Sequence, residues 1–157
     1  MADAENVNKV RFHSLHPVPW LKRRTALKTF IVSLIKAEGQ KLGLLDVVFC
    51  TDRFLLRINQ QFLRHDTYTD IITFDLTPPN NNRIISEIYI SVDRVLDNSS
   101  RYATSKTEEL LRVLFHGVLH LCGYGDKSAR DKRLMREKEE FYLKKFHRYV
   151  SRETRST

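Results

Sequence analysis

Between Leu110 and Leu121 apolar side chains run almost all the way round a helix, and no other stretch constrains the fold so strongly. A helix with one wet face shows a single apolar stripe, whereas one that is apolar all round has to be enclosed by other elements. Ser105, with Glu108 three residues later, forms a capping box that starts this helix. Gly123 and Gly125 follow it and can supply the left-handed backbone that ends a helix and turns the chain back. His116 and His120 interrupt the apolar run at positions i and i+4, which share one helical face. Two adjacent imidazoles in a buried place are costly unless something satisfies them.

The turn after the helix returns Asp126 toward both rings. Two imidazole nitrogens and one carboxylate oxygen, with a fourth position left to water, form the ligand set of a catalytic rather than a structural zinc. His116, His120 and Asp126 are therefore the predicted ligands of one divalent ion, with Zn2+ the first choice. Such an ion polarises a phosphate oxygen and lowers the pKa of water from 15.7 to about 7, and either action supports hydrolysis of a phosphodiester. The metalloprotease pattern His-Glu-x-x-His places a glutamate base directly after the first histidine. Gly117 stands at that position, so the protease-type base is missing. Glu109 is either an acceptor for an imidazole N–H or a surface partner of Arg112.

The segment from His116 to Asp126 resembles the signature of the YbeY family of metal-dependent endoribonucleases, His-Gly-x-Leu-His-Leu-x-Gly-Tyr-Asp-His. Gly125 and Asp126 stand where that pattern has Asp and His, so the third ligand changes from imidazole to carboxylate. Upstream, the block from Ile58 to Phe74 is similar to the family's Leu-Asn-x-x-Tyr-Arg-x-x-Asp-x-x-Thr-Asp-Val-Leu-Ser-Phe. The family's arginine falls on Leu63, with Arg64 one position late. Glu87 to Ser91 resembles the strand Gly-Asp-Ile-x-Ile-Ser, with Ser86-Glu87 for Gly-Asp. The resemblance implies an endoribonuclease that cuts single-stranded RNA in ribosomal RNA maturation and ribosome assembly. Its partners would be ribosomal RNA and the small ribosomal subunit. Asp70 and Glu87, which lie in the matching blocks, are the candidate general bases.

Composition is compatible with this. A net charge of +8 and a pI near 9.7 suit a polyanionic partner. Two cysteines, Cys50 and Cys122, are too few for a disulfide framework or a zinc ribbon, and read as free thiols of a reducing compartment. Cys122 neighbours the site but, two residues after His120, points off the histidine face. No apolar run approaches 18 residues, so neither a membrane span nor a leader is expected and the predicted location is cytoplasmic.

The expected fold is α+β: residues 1–157 form a single domain in which a small mixed β-sheet packs against several helices and the metal-bearing helix is central, lining a basic cleft. Val7 to Phe12 is predicted as an edge strand, and Trp20 to Gly39 as a helix with Leu27, Phe30, Ile31, Leu34 and Ile35 inward. Leu44 to Thr51 reads as a buried strand, and Asp52 caps a helix to Leu63 with Phe54, Leu55, Ile58 and Phe62 inward. Arg64 to Thr69 reads as a polar connection, and the strands Ile71 to Leu76 and Ile84 to Val92 as a hairpin. A short helix from Asp93 to Ala103 comes next. A last helix runs from Ser128 to about Val150 with Leu134, Phe141 and Phe146 inward, before a frayed tail at 151–157. Two other functions fit the same residues: a zinc metallopeptidase, and a non-catalytic ribosome-assembly factor whose metal holds the fold.

Overall fold

The computed structural model describes residues 8–64 and 69–156. Four strands, β1 (Val10–Ser14), β2 (Leu42–Cys50), β3 (Ile71–Asp75) and β4 (Ile84–Ser91), form one mixed sheet in the order β1-β2-β4-β3. β1, β2 and β4 run parallel, and β3 returns antiparallel to β4 as the predicted hairpin. Among the described residues five helices accompany the sheet: α1 (Arg24–Ala37), α2 (Asp52–Leu63), α3 (Val92–Arg101), α4 (Lys106–Leu121) and α5 (Ala129–Ser156). The α+β architecture with a central helix is as expected.

Alternation along the strands separates two apolar layers. Leu45, Val47 and Phe49 of β2, with Ile88 and Ile90 of β4, meet α1, α4 and α5 in the main core. Cys50, Ile72, Phe74 and Tyr89 face the other way, against Leu55 and Ile58 of α2. α4 is enclosed as its composition requires: Leu110, Leu111, Leu114, Phe115, Val118 and Leu119 are all buried. It lies so close to the sheet that a Cβ on Gly117 would come within 2.6 Å of Ile71 Cδ1 and 3.2 Å of Ile88 Cδ1.

Several expectations need correction. α1 begins at Arg24, not Trp20, because Val18 O accepts from Leu21 N and from Arg24 Nη2 and holds the Pro-rich entry as a turn. Thr51, not Asp52, caps α2 by accepting from Phe54 N, and the Asp52 carboxylate pairs with Arg94. Phe62 is 63% exposed, keeping an edge-on contact with Phe74. On α5 the buried stripe is Met135, Glu139, Tyr142, Leu143 and Phe146, so Leu134 and Phe141 sit one position off it and are exposed. α5 continues to Ser156, past Val150, with Arg23 of the α1 entry pairing with Glu153 at 2.9 Å and donating to Thr154 Oγ1. β2 starts at Leu42 and β1 ends at Ser14. Val7, and residues 65–68 of the polar connection, lie outside the described residues.

Candidate metal centre

The i, i+4 spacing on α4 brings the two imidazoles together, with Nε2 of His116 and Nε2 of His120 2.9 Å apart. α4 ends at the Cys122 cap, and Gly123 adopts the left-handed backbone (φ +104) that turns the chain. Gly125 has no positive φ. The turn delivers Asp126 Oδ2 to 3.4 Å from His116 Nε2 and 3.3 Å from His120 Nε2. These three atoms could hold one metal ion, and no other such group occurs among the described residues. Bonds of 2.0–2.1 Å in a tetrahedral shell place donor atoms about 3.3 Å from one another, so the triangle has the size the ion needs.

The chemistry of the donors fits equally well. His116 Nδ1 lies 2.8 Å from Glu139 Oε2, and His120 Nδ1 lies 2.7 Å from the carbonyl oxygen of Tyr124. A carboxylate and a carbonyl can only accept, so each Nδ1 carries the proton and each Nε2 turns a lone pair inward. Two lone pairs and a carboxylate oxygen converging on one point repel each other unless a metal ion or a proton lies between them. Side-chain exposures of 24%, 29% and 45% for His116, His120 and Asp126 leave room for a further ligand.

His116 and Asp126 line two adjoining hollows of about 670 and 960 Å3 that share Asp70. The first reaches Glu109, Glu139, Lys132 and Arg136, and the second reaches Asn59, Leu63, Thr73 and Lys127. The cleft is mixed in charge rather than basic as expected: carboxylates cluster round the imidazoles, and the cations stand beside them. A site for a cation requires that inner negative charge. Asp70 lies in the cleft, where burial above all, reinforced by Glu139, raises its pKa against the opposing pull of His116 and Arg94. Its backbone carbonyl accepts from Ser91 N. Glu87 is not brought to the site. Its neighbour Ile88 meets α4, so Glu87 faces the opposite side of the sheet and accepts from Tyr89 OH at 2.7 Å.

Of the two roles open to Glu109, that of imidazole acceptor falls to Glu139. Glu109 is buried rather than on the surface, burial raising its pKa, while Arg112 pairs with Glu140 at 2.6 Å and Glu139 at 3.7 Å. Burial disfavours the charged form of His116, but the hydrogen bond and charge of Glu139, with Asp126 and Asp70, raise its pKa overall. Cys122 is half-buried, its thiol pushed up to about 12 by burial and by Glu38. Arg64 caps α2 in a left-handed conformation with its side chain exposed, and it is Leu63 that lines the cleft.

The family model described as endoribonuclease YbeY matches residues 18–147. The chain belongs to the endoribonuclease YbeY family. Among the relatives named endoribonuclease YbeY, that of Flavobacterium psychrophilum is 45% identical over 127 residues, covering 81% of this chain and 89% of its own. That of Christiangramia forsetii is 44% identical over 127 residues, covering 81% and 87%. The solution structure of TM1509 from Thermotoga maritima superposes with a TM-score of 0.59 at 26% identity, covering 94% of this chain and 92% of that one. An endoribonuclease hydrolyses RNA, and the triangle of His116 and His120 on α4 with Asp126 on the turn after it could hold a metal ion. No helix among the described residues is long and apolar enough to cross a membrane.

Proposed function

We propose that the chain is a cytoplasmic, metal-dependent endoribonuclease that cuts single-stranded ribosomal RNA during its maturation and serves assembly of the small ribosomal subunit. His116, His120 and Asp126 are assigned as ligands of one divalent ion, Zn2+ foremost. The observation that carries this reading is the solvent-open triangle of Nε2, Nε2 and Oδ2, with edges of 2.9 to 3.4 Å, in a chain of the YbeY family. When bound, the ion supplies Lewis-acid polarisation of a phosphoryl oxygen and makes water more acidic.

The remaining work falls to side chains. Glu139 and the Tyr124 carbonyl fix both imidazole tautomers. Asp70, in the cleft with His116, is assigned as the acceptor of the proton lost by the attacking water. Lys127, Lys132 and Arg136 beside the site hold the phosphates that flank the scissile bond. A carboxylate as the third ligand leaves the occupied site one positive charge lower than three imidazoles would.

A peptidase reading is disfavoured by Gly117, whose missing side chain would point at Ile71 and Ile88 on the sheet and away from the ligands. The test is cleavage of a labelled single-stranded ribosomal RNA fragment. Cleavage should stop with chelator, return with Zn2+, and be lost in His120→Ala. If His120→Ala lowers the melting temperature but cleaves as wild type does, the metal is structural and its catalytic role fails. Casein cleavage that disappears in His116→Ala would establish the peptidase instead.

A further inference from the structure

Asp126 and the carbonyl that orients His120 both sit on the short turn after α4. Its backbone is tied to the helix end by Gly123 N donating to His120 O at 3.0 Å and Tyr124 N donating to Leu119 O at 3.1 Å. A further tie comes from outside the cleft. Glu38, the cap residue at the end of α1, has a side chain only 9% exposed. Its carboxylate accepts from Tyr124 OH through one oxygen, and through the other from Tyr142 OH at 2.5 Å and Lys138 Nζ at 3.3 Å. Lys138 Nζ also lies 5.4 Å from the centre of the Tyr124 ring, over its face. The turn is therefore clamped between α1 and α5.

We propose that Glu38 is a positioning residue for the cation site, acting through Tyr124 to hold the turn that supplies the His120 acceptor and Asp126. The inference rests on the reading of His116, His120 and Asp126 as metal ligands. A buried carboxylate with three donors has a fixed location, and its hold on the phenol fixes the peptide that bears the carbonyl. That carbonyl determines which nitrogen of His120 keeps its lone pair. Asp126 lies two residues further along the same turn, so its reach toward both Nε2 atoms depends on the same anchor. α5 thus orients both imidazoles from neighbouring residues, His116 directly through Glu139 and His120 through Lys138, Glu38 and Tyr124.

A network of this kind can also serve stability alone, and three variants separate the two roles. Tyr124→Phe removes the hydroxyl that ties the turn, Glu38→Gln weakens the anchor, and Tyr142→Phe removes a donor to Glu38 while leaving the turn untouched. For each, the affinity for Co2+ and Zn2+ is measured by competition with a chromophoric chelator, the visible spectrum of the Co2+ form is recorded, and the metal-free melting temperature is taken. The expected result is a 10- to 100-fold loss of affinity in Tyr124→Phe and Glu38→Gln. Their Co2+ spectrum should be altered, while Tyr142→Phe stays within about threefold of wild type whatever its melting temperature. Affinities for Tyr124→Phe and Glu38→Gln within threefold of wild type, or losses that follow melting temperature across all three variants, would overturn the positioning role. Failure of the wild type itself to bind one equivalent of Co2+ would overturn the metal-ligand reading and the proposal together.

Discussion

At the scale of single residues, the site depends on which nitrogen of each imidazole keeps its proton. Glu139 decides this for His116, and its carboxylate is buried against that ring. Replacing Glu139 by Gln keeps the shape but introduces an amide that can offer either N–H or C=O to the ring and carries no charge. Metal affinity should fall about 10- to 100-fold, measured by chelator competition. Affinity equal to wild type would show that the carboxylate is dispensable. The convergence of His116, His120 and Asp126 is legible in the sequence, because spacing on one helix and a glycine turn are local features. Glu139 was not, because it is 23 residues from His116 and meets it only when α5 docks. Its signal was an acid placed among Met135, Tyr142, Leu143 and Phe146 on an otherwise apolar stripe. Sequence periodicity marks Leu134, Phe141 and Phe146 as inward, and with the first two one position off the true stripe the anomaly stays hidden. Glu87 failed for the complementary reason: a motif position says nothing about which face of a strand it occupies.

At the scale of elements, the closeness of α4 to β3 and β4 depends on Gly117. A Cβ there already meets Ile71 Cδ1 at 2.6 Å, which the flexible end of an isoleucine can yield to. The same Cβ lies 3.2 Å from Ile88 Cδ1 and 3.4 Å from Thr73 Oγ1, so the methyl groups of a branched side chain have to enter an already crowded space. Gly117→Val should destabilise the protein by about 1–3 kcal/mol through overpacking. For a chain of this size that is a fall of roughly 2–4 °C in melting temperature per kcal/mol. An unchanged melting temperature would mean that α4 is free to lift from the sheet. The central place of α4 followed from its composition alone, and the β3–β4 hairpin from two runs of β-branched residues. Helix boundaries were harder, since the start of α1 and the last turns of α5 are held by pairing between remote residues such as Arg23 and Glu153.

At the scale of the whole molecule, a net charge of +8 coexists with a site rich in carboxylates. The positive field attracts RNA generally, while the inner acids suit a cation and repel phosphate that arrives without one. Lys132 and Arg136 line the cleft beside those acids. Single-stranded RNA binding should weaken as salt rises, and Lys132→Ala and Arg136→Ala should each reduce the log–log salt slope by about 0.7. A slope identical to wild type in both variants would place the RNA path elsewhere.

The long reach of α5 has a consequence for the order in which the centre becomes competent. Synthesis runs from the amino end, so His116, His120 and Asp126 leave the ribosome before Lys138, Glu139 and Tyr142. Until that last helix docks, His116 lacks its Glu139 acceptor and Glu38 lacks its Lys138 and Tyr142 donors, so the surroundings of the donor triangle are completed by the segment synthesised last.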